Sequence, residues 1–310
     1  MRILTSPSPT HIRTNSAENY EQTKALFSDH FNDFLKESLQ TVVFSPTQIE
    51  SEHAVQTSAH GNAGARVAWS RKEALPASWR VDAFHSNIIA ELDEFDPSQP
   101  KKADGIFVRK DAFRAPLAIR TADCLAVAVT LESGAKIQAA SCFHAGWRGY
   151  CAGIQTAAIA KFHSESSRRP RQSHATSEIF VTIGPAVFGA SYPCGKDVLE
   201  ALTFHHRERL TSSPGWSERH EKAFWHAVGS SGFHASGKIF PDLQELMCIE
   251  LDALGVSLSN VAVYRENTFE SGYWPSHRRS MANGQPSTER LVTHLCPPAC
   301  PSVTNRDSTT

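Results

Sequence analysis

The stretch from Leu125 to Phe162 constrains the fold more than any other, because its hydrophobic period changes once within it. Leu125–Leu131 and Lys136–Phe143 are apolar runs of strand length, and Glu132-Ser133-Gly134 between them is a hairpin-type connection. After Gly149 the apolar side chains fall at Ile154, Ala157, Ala158 and Phe162. That is the i, i+3, i+4, i+8 stripe of an amphipathic helix. The loop His144–Gly149 therefore joins the end of a strand to the start of a helix.

The rest of the chain fills in around this unit. Short strands are expected at Ile106–Val108, Pro116–Ile119, Glu178–Ile183 and Val261–Tyr264, and helices at Ala25–Phe34 and Asp197–Phe204. The clearest helix is Pro241–Leu254, with Leu243, Leu246, Met247, Leu251 and Leu254 on one face. Pro241 suits its first turn, and Gly255 suits the position after its last. Residues 46–80 carry little periodic signal. Residues 205–235 read as a polar, Trp-bearing insertion, with His205, His206, His220, His226 and His234 at the surface. Strands and helices mix without regular alternation and without an internal repeat. The expected fold class is α+β: a single large domain with mixed β-sheets flanked by helices. The expected organisation is an N-terminal part, 1–80, packed on a catalytic domain, 81–295, and a disordered Pro-rich tail, 296–310.

Composition removes several functions. Lys and Arg number 31 against 32 Asp and Glu, a net charge of −1. There is no basic field for non-specific nucleic-acid binding. No apolar run is long enough for a transmembrane span, and Met1–Ser16 lacks the apolar core of a secretory signal. A cytoplasmic protein without nucleic-acid or membrane partners is expected. The seven cysteines are odd in number and include no CxxC pair, so reduced thiols fit better than a disulfide framework. The absence of His-x-His pairs counts against a clustered copper site.

Three segments combine reactive side chains with strand ends: Phe84-His85-Ser86-Asn87, Arg120-Thr121-Ala122-Asp123-Cys124 and His144-Ala145-Gly146-Trp147-Arg148-Gly149. In the third, Gly146 and Gly149 permit close backbone approach, and a helix start and Arg148 favour an anion such as phosphate. The plainer reading is a tight turn with Trp147 packed and Arg148 solvated. His85, Cys124 and His144 are a zinc-ligand set if their strand ends meet. Spacing alone favours an inert buried cysteine and core histidines instead. Asp123 is placed to orient a ligand, act as a base or cap a turn. Tyr273-Trp274-Pro275-Ser276-His277-Arg278-Arg279 reads either as an aromatic and arginine cluster for a base and an anion, or as a surface strand.

Ala122-Asp123-Cys124, then His144-Ala145-Gly146-Trp147-Arg148-Gly149, then Gly184-Pro185 with Ser191-Tyr192, in that order, resemble the multicopper polyphenol oxidoreductase (laccase-like) family. Asp242-Leu243 opening a helix and Ser276-His277-Arg278-Arg279 fit as well. The resemblance covers residues 81–295. Its bacterial and animal members are regarded as purine nucleoside phosphorylases, with adenosine deaminase and methylthioadenosine phosphorylase activities. It implies one zinc held by His85, Cys124 and His144, with copper the less fitting metal. It also implies phosphate or substrate contacts from Arg148, Gly146, Gly149, Arg278 and, through Ser70-Arg71, Arg71. Purine nucleosides and phosphate become the expected small-molecule partners. Cys124, His144 and Asp123 become the expected catalytic residues, Asp123 for proton handling. The chain departs from the family at Ala83, where Gln is common, at Asn267-Thr268 for Cys-Thr, and at Tyr273–Arg279 for Phe-Phe-Ser-Tyr-Arg-Arg. Rival expectations are a Cys-His amide hydrolase, a peptidoglycan-precursor editing enzyme, a copper-dependent phenol oxidase and a zinc-stabilised binding module without catalysis.

Overall fold

The computed structural model describes residues 2–4, 31, 34, 42–43, 56–71, 78–92, 100–168, 176–229 and 236–298. In chain order the strands are β1 (Arg2–Leu4), β2 (Val42–Val43), β3 (Gln56–His60), β4 (Ala65–Ser70), β5 (Trp79–Asp82), β6 (Ile89–Glu91), β7 (Lys101–Lys102), β8 (Gly105–Arg109), β9 (Leu117–Thr121), β10 (Leu125–Ser133), β11 (Lys136–Ala145), β12 (Ser177–Ile183), β13 (Val261–Tyr264) and β14 (Leu291–Cys296). The helices are α1 (Trp147–Ala152), α2 (Ile154–Ser167), α3 (Lys196–His205), α4 (Glu218–Val228), α5 (Leu243–Ala253) and α6 (His277–Ala282).

Two mixed sheets stack on one another. The first runs β2-β1-β13-β12-β10-β11-β8-β6, and the second runs β3-β4-β14-β9-β5-β7. Side-chain alternation along β10 and β11 explains the stacking. Leu125, Val127, Val129, Leu131 and Phe143 face a core shared with the helices. Ala126, Ala128, Ala140 and Cys142 face a second core shared with the other sheet. Large side chains thus fill the helix side, and small ones let the sheets approach. Both faces of β10 are covered, which is why its sequence is a near-continuous apolar run. The fold is α+β, as expected.

The hairpin connection narrows to Gly134-Ala135, with Ser133 paired to Lys136 and Gly134 at φ 57°. The helix expected after Gly149 is broken. Gly153 at φ 83° ends α1 and begins α2. α5 starts at Leu243, where the Asp242 side chain accepts from the Gln244 and Glu245 amides, so Pro241 precedes the cap rather than opening the helix.

Several expectations are corrected. The stretch from 46 to 80 supplies β3 and β4, whose short Ala- and Ser-containing strands carry weak periodicity yet pair with β14 and each other. Only residues 31 and 34 of Ala25–Phe34 are described; both are helical and buried. The segment from 205 is not a polar excursion: Phe224, Ala227 and Val228 of α4 join the main core. His205, His206 and His220 are buried, each paired with a carboxylate, Glu250, Glu221 and Asp252 respectively. An acid on a neighbouring element makes a histidine-rich segment compatible with burial. His234 lies outside the described residues. Cys296 ends a buried strand rather than opening a disordered tail, and residues 299–310 lie outside the description.

One carboxylate pins the β3–β4 turn onto β10. Glu132 accepts from the Asn62 and Ala63 amides at 2.7 and 2.9 Å and from Thr130 Oγ1 at 2.9 Å. Burial pushes its pKa up despite these bonds. Glu132→Ala, which strips two part-buried amides of their charged acceptor, is expected to lower stability by about 1 kcal/mol or more. Glu132→Gln, neutral but still an acceptor, is expected to lose less. Urea denaturation measures both, and an alanine variant as stable as the parent would contradict the pinning role.

Candidate metal site

Strand register accounts for the meeting of distant residues. β9 belongs to the second sheet and β10 to the first, so Ala122-Asp123-Cys124 forms the crossing between them. The β10–β11 hairpin pairs Leu125 with Ala145 and Ala126 with His144, which returns residue 144 beside residue 124 after a 20-residue excursion. β8 pairs with β11 so that Gly105 faces Phe143, and β6 pairs with β8 so that Ile89 faces Gly105. The loop before β6 carries His85 to the same end.

The ligand atoms of His85, Cys124 and His144 lie within 4.8 Å of one another. Cys124 Sγ is 3.9 Å from His85 Nε2, and the two imidazole centroids are 4.8 Å apart. His85 is exposed, Cys124 half-buried and His144 buried, so the group opens to solvent on the His85 side. Two imidazoles and a thiol so arranged could hold a metal ion.

Asp104 organises the group. Its carboxylate accepts His144 Nδ1–H at 2.9 Å. It also accepts the amides of Phe84, His85 and Ser86 at 3.1, 2.8 and 2.6 Å, and the Ser86 hydroxyl at 2.6 Å. An ionised carboxylate only accepts, so His144 keeps a proton on Nδ1, and Nε2 is the nitrogen that a metal would take in exchange for its proton. Burial disfavours the Asp104 charge, but the bonds from His144 and Ser86 outweigh it and hold the carboxyl well below the usual range. Burial likewise opposes ionisation of Cys124, yet hydrogen bonds from His144 and His85 draw the thiol down to about 7. His144 is disfavoured as a cation by burial and raised to about 9 by Asp104 and Cys124.

The backbone passes close over these side chains. A Cβ on Gly146 would lie 2.8 Å from His85 Cδ2 and 2.9 Å from Cys124 Sγ, and one on Gly149 would lie 3.1 Å from the Ser86 carbonyl oxygen. Both glycines therefore make room for the ligand loop. His85 and Asp123 hold left-handed backbone at φ 67° and 82°. Such strain persists where surrounding bonds over-determine it.

Residues 58–288 match the sequence family described as multi-copper polyphenol oxidoreductase laccase. The chain belongs to that family. A protein of Pseudomonas aeruginosa named purine nucleoside phosphorylase is 32% identical over 215 residues, covering 69% of this chain and 73% of its own length. The Escherichia coli purine nucleoside phosphorylase YfiH is 26% identical over 158 residues, or 51% of this chain and 54% of YfiH. Among solved structures, YlmD of Geobacillus stearothermophilus superposes with a TM-score of 0.57 at 21% identity, covering 81% of this chain and 97% of YlmD. A Neisseria meningitidis protein reaches 0.54 at 18%, covering 79% and 99%. These two share the fold of this chain.

Within this frame the remaining expected residues separate. Asp123 accepts Thr268 Oγ1 at 2.7 Å on one oxygen and the Arg278 amide at 2.8 Å on the other. Asp123 thus ties the Cys124 turn to the start of α6. Arg278 lies over the Tyr192 ring at 4.4 Å and donates to the Pro193 carbonyl at 3.1 Å. Its amide bond to Asp123, the residue before Cys124, sets Arg278 beside the ligand turn. The 273–279 segment is not a surface strand: Trp274 is fully buried, and Ser276 caps α6. Arg148 is exposed and stacks on Trp147 at 4.2 Å. Arg71 instead pairs with Glu289 at 2.8 Å and lies 5.7 Å from the Tyr273 ring centroid. Asp104 was missed, because Asp-Gly before a strand reads as ordinary turn chemistry. Only the register that sets it against His144 discloses it.

Asp104→Asn is expected to weaken metal binding about 10–100-fold, the usual effect of losing a ligand's orienting partner. Competition with a chromophoric chelator measures it, and unchanged affinity would remove Asp104 from the site.

Proposed function

We propose that the protein is a zinc-dependent purine nucleoside phosphorylase. It would take adenosine, inosine or guanosine with phosphate and release free base and ribose 1-phosphate. Methylthioadenosine cleavage and adenosine deamination are assigned to the same site. The observation that carries the reading is the convergence of His85, Cys124 and His144, with His144 oriented by Asp104. The names of the relatives supply the substrate class.

The donor set fits zinc better than copper. A thiol already drawn towards ionisation and two imidazoles make a soft, three-ligand site that leaves one position free. Zinc held there supplies Lewis-acid polarisation of a bound oxygen or substrate group. The chain's own residues do the positioning. Arg278, kept beside Cys124 by the Asp123–amide bond, offers a guanidinium for phosphate or a ribose oxygen. Arg148, exposed in the first turn of α1, offers a second. In phosphorolysis the phosphate oxygen forms a bond to C1′ as the C1′–N9 bond breaks, and the base takes a proton. Holding the anion near a developing sugar cation is the main demand. Both Asp123 oxygens already accept bonds, so its part here is to position Arg278 rather than to move the proton.

Wild-type protein is expected to contain about one zinc per chain, by elemental analysis, and to release base only when phosphate is present. Removing the metal should abolish turnover, with zinc restoring it and copper failing to do so. Cys124→Ser and His85→Ala should lose zinc and activity together. Chromatography of adenosine, inosine and guanosine reactions reads the outcome. The absence of both phosphate-dependent base release and conversion of adenosine to inosine would sink the proposal.

The grouping of Cys124 with His144 supports a second reading, a metal-free Cys-His amide hydrolase with Cys124 as nucleophile and His144 as its base. Full activity after chelation, lost on thiol alkylation, would select it.

A further inference from the structure

We propose that Phe84 and Lys102 form the base-binding rim of the metal-ligand site, with the purine stacked on the Phe84 ring and the Lys102 ammonium beside it; this rests on the nucleoside reading above. The loop 83–88 is built around a single acceptor. Three successive amides, Phe84, His85 and Ser86, converge on the Asp104 carboxylate. The loop's inner side is thereby occupied by backbone, and the side chains of Phe84 and His85 are left on its outer, exposed side. Phe84 is 43% exposed, and Ile88 on the same loop is 49% exposed. Such exposure of an aromatic ring on a well-anchored loop is a standing free-energy cost. Here the ring belongs to the residue directly preceding a metal ligand.

The neighbourhood selects a planar, electron-rich or anionic ligand rather than an aliphatic one. Lys102 Nζ lies 5.3 Å from the Phe84 ring centroid, and Lys102 is itself exposed. β7, which carries Lys102, pairs with β5 so that Lys102 faces Asp82, two residues before Phe84. Strand register thus sets Lys102, and the loop that leaves β5 sets Phe84. The ammonium lies over one face of the ring and leaves the other for a base, and its charge favours a π-system that carries acceptor atoms over a purely apolar occupant. A purine presents a flat face to the ring and its ring nitrogens to the ammonium. A ring held on a fixed loop loses little conformational freedom when a base stacks on it. Phe84 directly precedes His85 in the chain, so a base stacked on its ring lies one residue from the ligand cluster.

The test is adenosine binding by calorimetry on zinc-loaded protein without phosphate, beside steady-state kinetics with phosphate. Phe84→Ala and Phe84→Leu are expected to weaken adenosine binding and raise KM about 5- to 100-fold, the range for losing one base–aromatic stack. kcat should change less than KM, and zinc content should stay that of the parent. Phe84→Tyr should restore affinity. Lys102→Ala should raise KM for adenosine more than KM for phosphate. The leucine variant guards against loop collapse, since it keeps an apolar side chain of similar bulk. If Phe84→Ala and Phe84→Leu keep zinc and bind adenosine within twofold of the parent, the rim assignment is overturned while the phosphorylase reading stands. If the parent neither binds nor cleaves nucleosides, both fall.

Discussion

The carboxylate of Asp104 is the interaction on which the rest of the site depends. It is buried, it is held ionised, and its donors come from two separate segments. One is the His144 ring at the end of β11; the other is the run of amides from Phe84 to Ser86. Charge-assisted hydrogen bonds of this kind are about twice as strong as neutral ones. One side chain therefore fixes both imidazoles, one through its ring and the other through its backbone. It also fixes the tautomer of His144, which decides which nitrogen faces the ligand position.

That arrangement needs a scaffold in which strand ends from two sheets come close. Ala126, Ala128, Ala140 and Cys142 supply the close approach by keeping the inner face of β10–β11 small. Leu125, Val127, Val129 and Phe143 on the opposite face anchor the helices. The crossing from β9 to β10 then leaves Cys124 at the rim, with Asp123 strained into left-handed backbone and held there by Thr268 and Arg278. Strain at the crossing and order at the ligands are two sides of one construction. The same bonds that enforce the turn bring Arg278 to the wall of the site.

Local signals were reliable where they depended on a single element. The hairpin of β10 and β11, the helix α5 with Gly255 beyond its end, and the strand β13 all follow from periodicity and end residues. Local reading failed where burial depends on a distant partner. His205, His206 and His220 look like surface residues until Glu250, Glu221 and Asp252 are set against them. β14 carries no marked signal of its own, because its place between β4 and β9 is decided by the sheet.

The sequence by itself determined the α+β class, the switch from strand to helix about Gly146 and, through the order of its motifs, the resemblance to a family that singles out His85, Cys124 and His144. Those are properties of hydrophobic period and residue type along the chain. Only the tertiary structure decided that Asp104 holds the ligands, that Asp123 braces Arg278 instead of standing free, and that Gly146 gives way to Cys124. Each of these is a contact between residues far apart in sequence, set by strand register and sheet stacking, which leave no periodic mark on either partner.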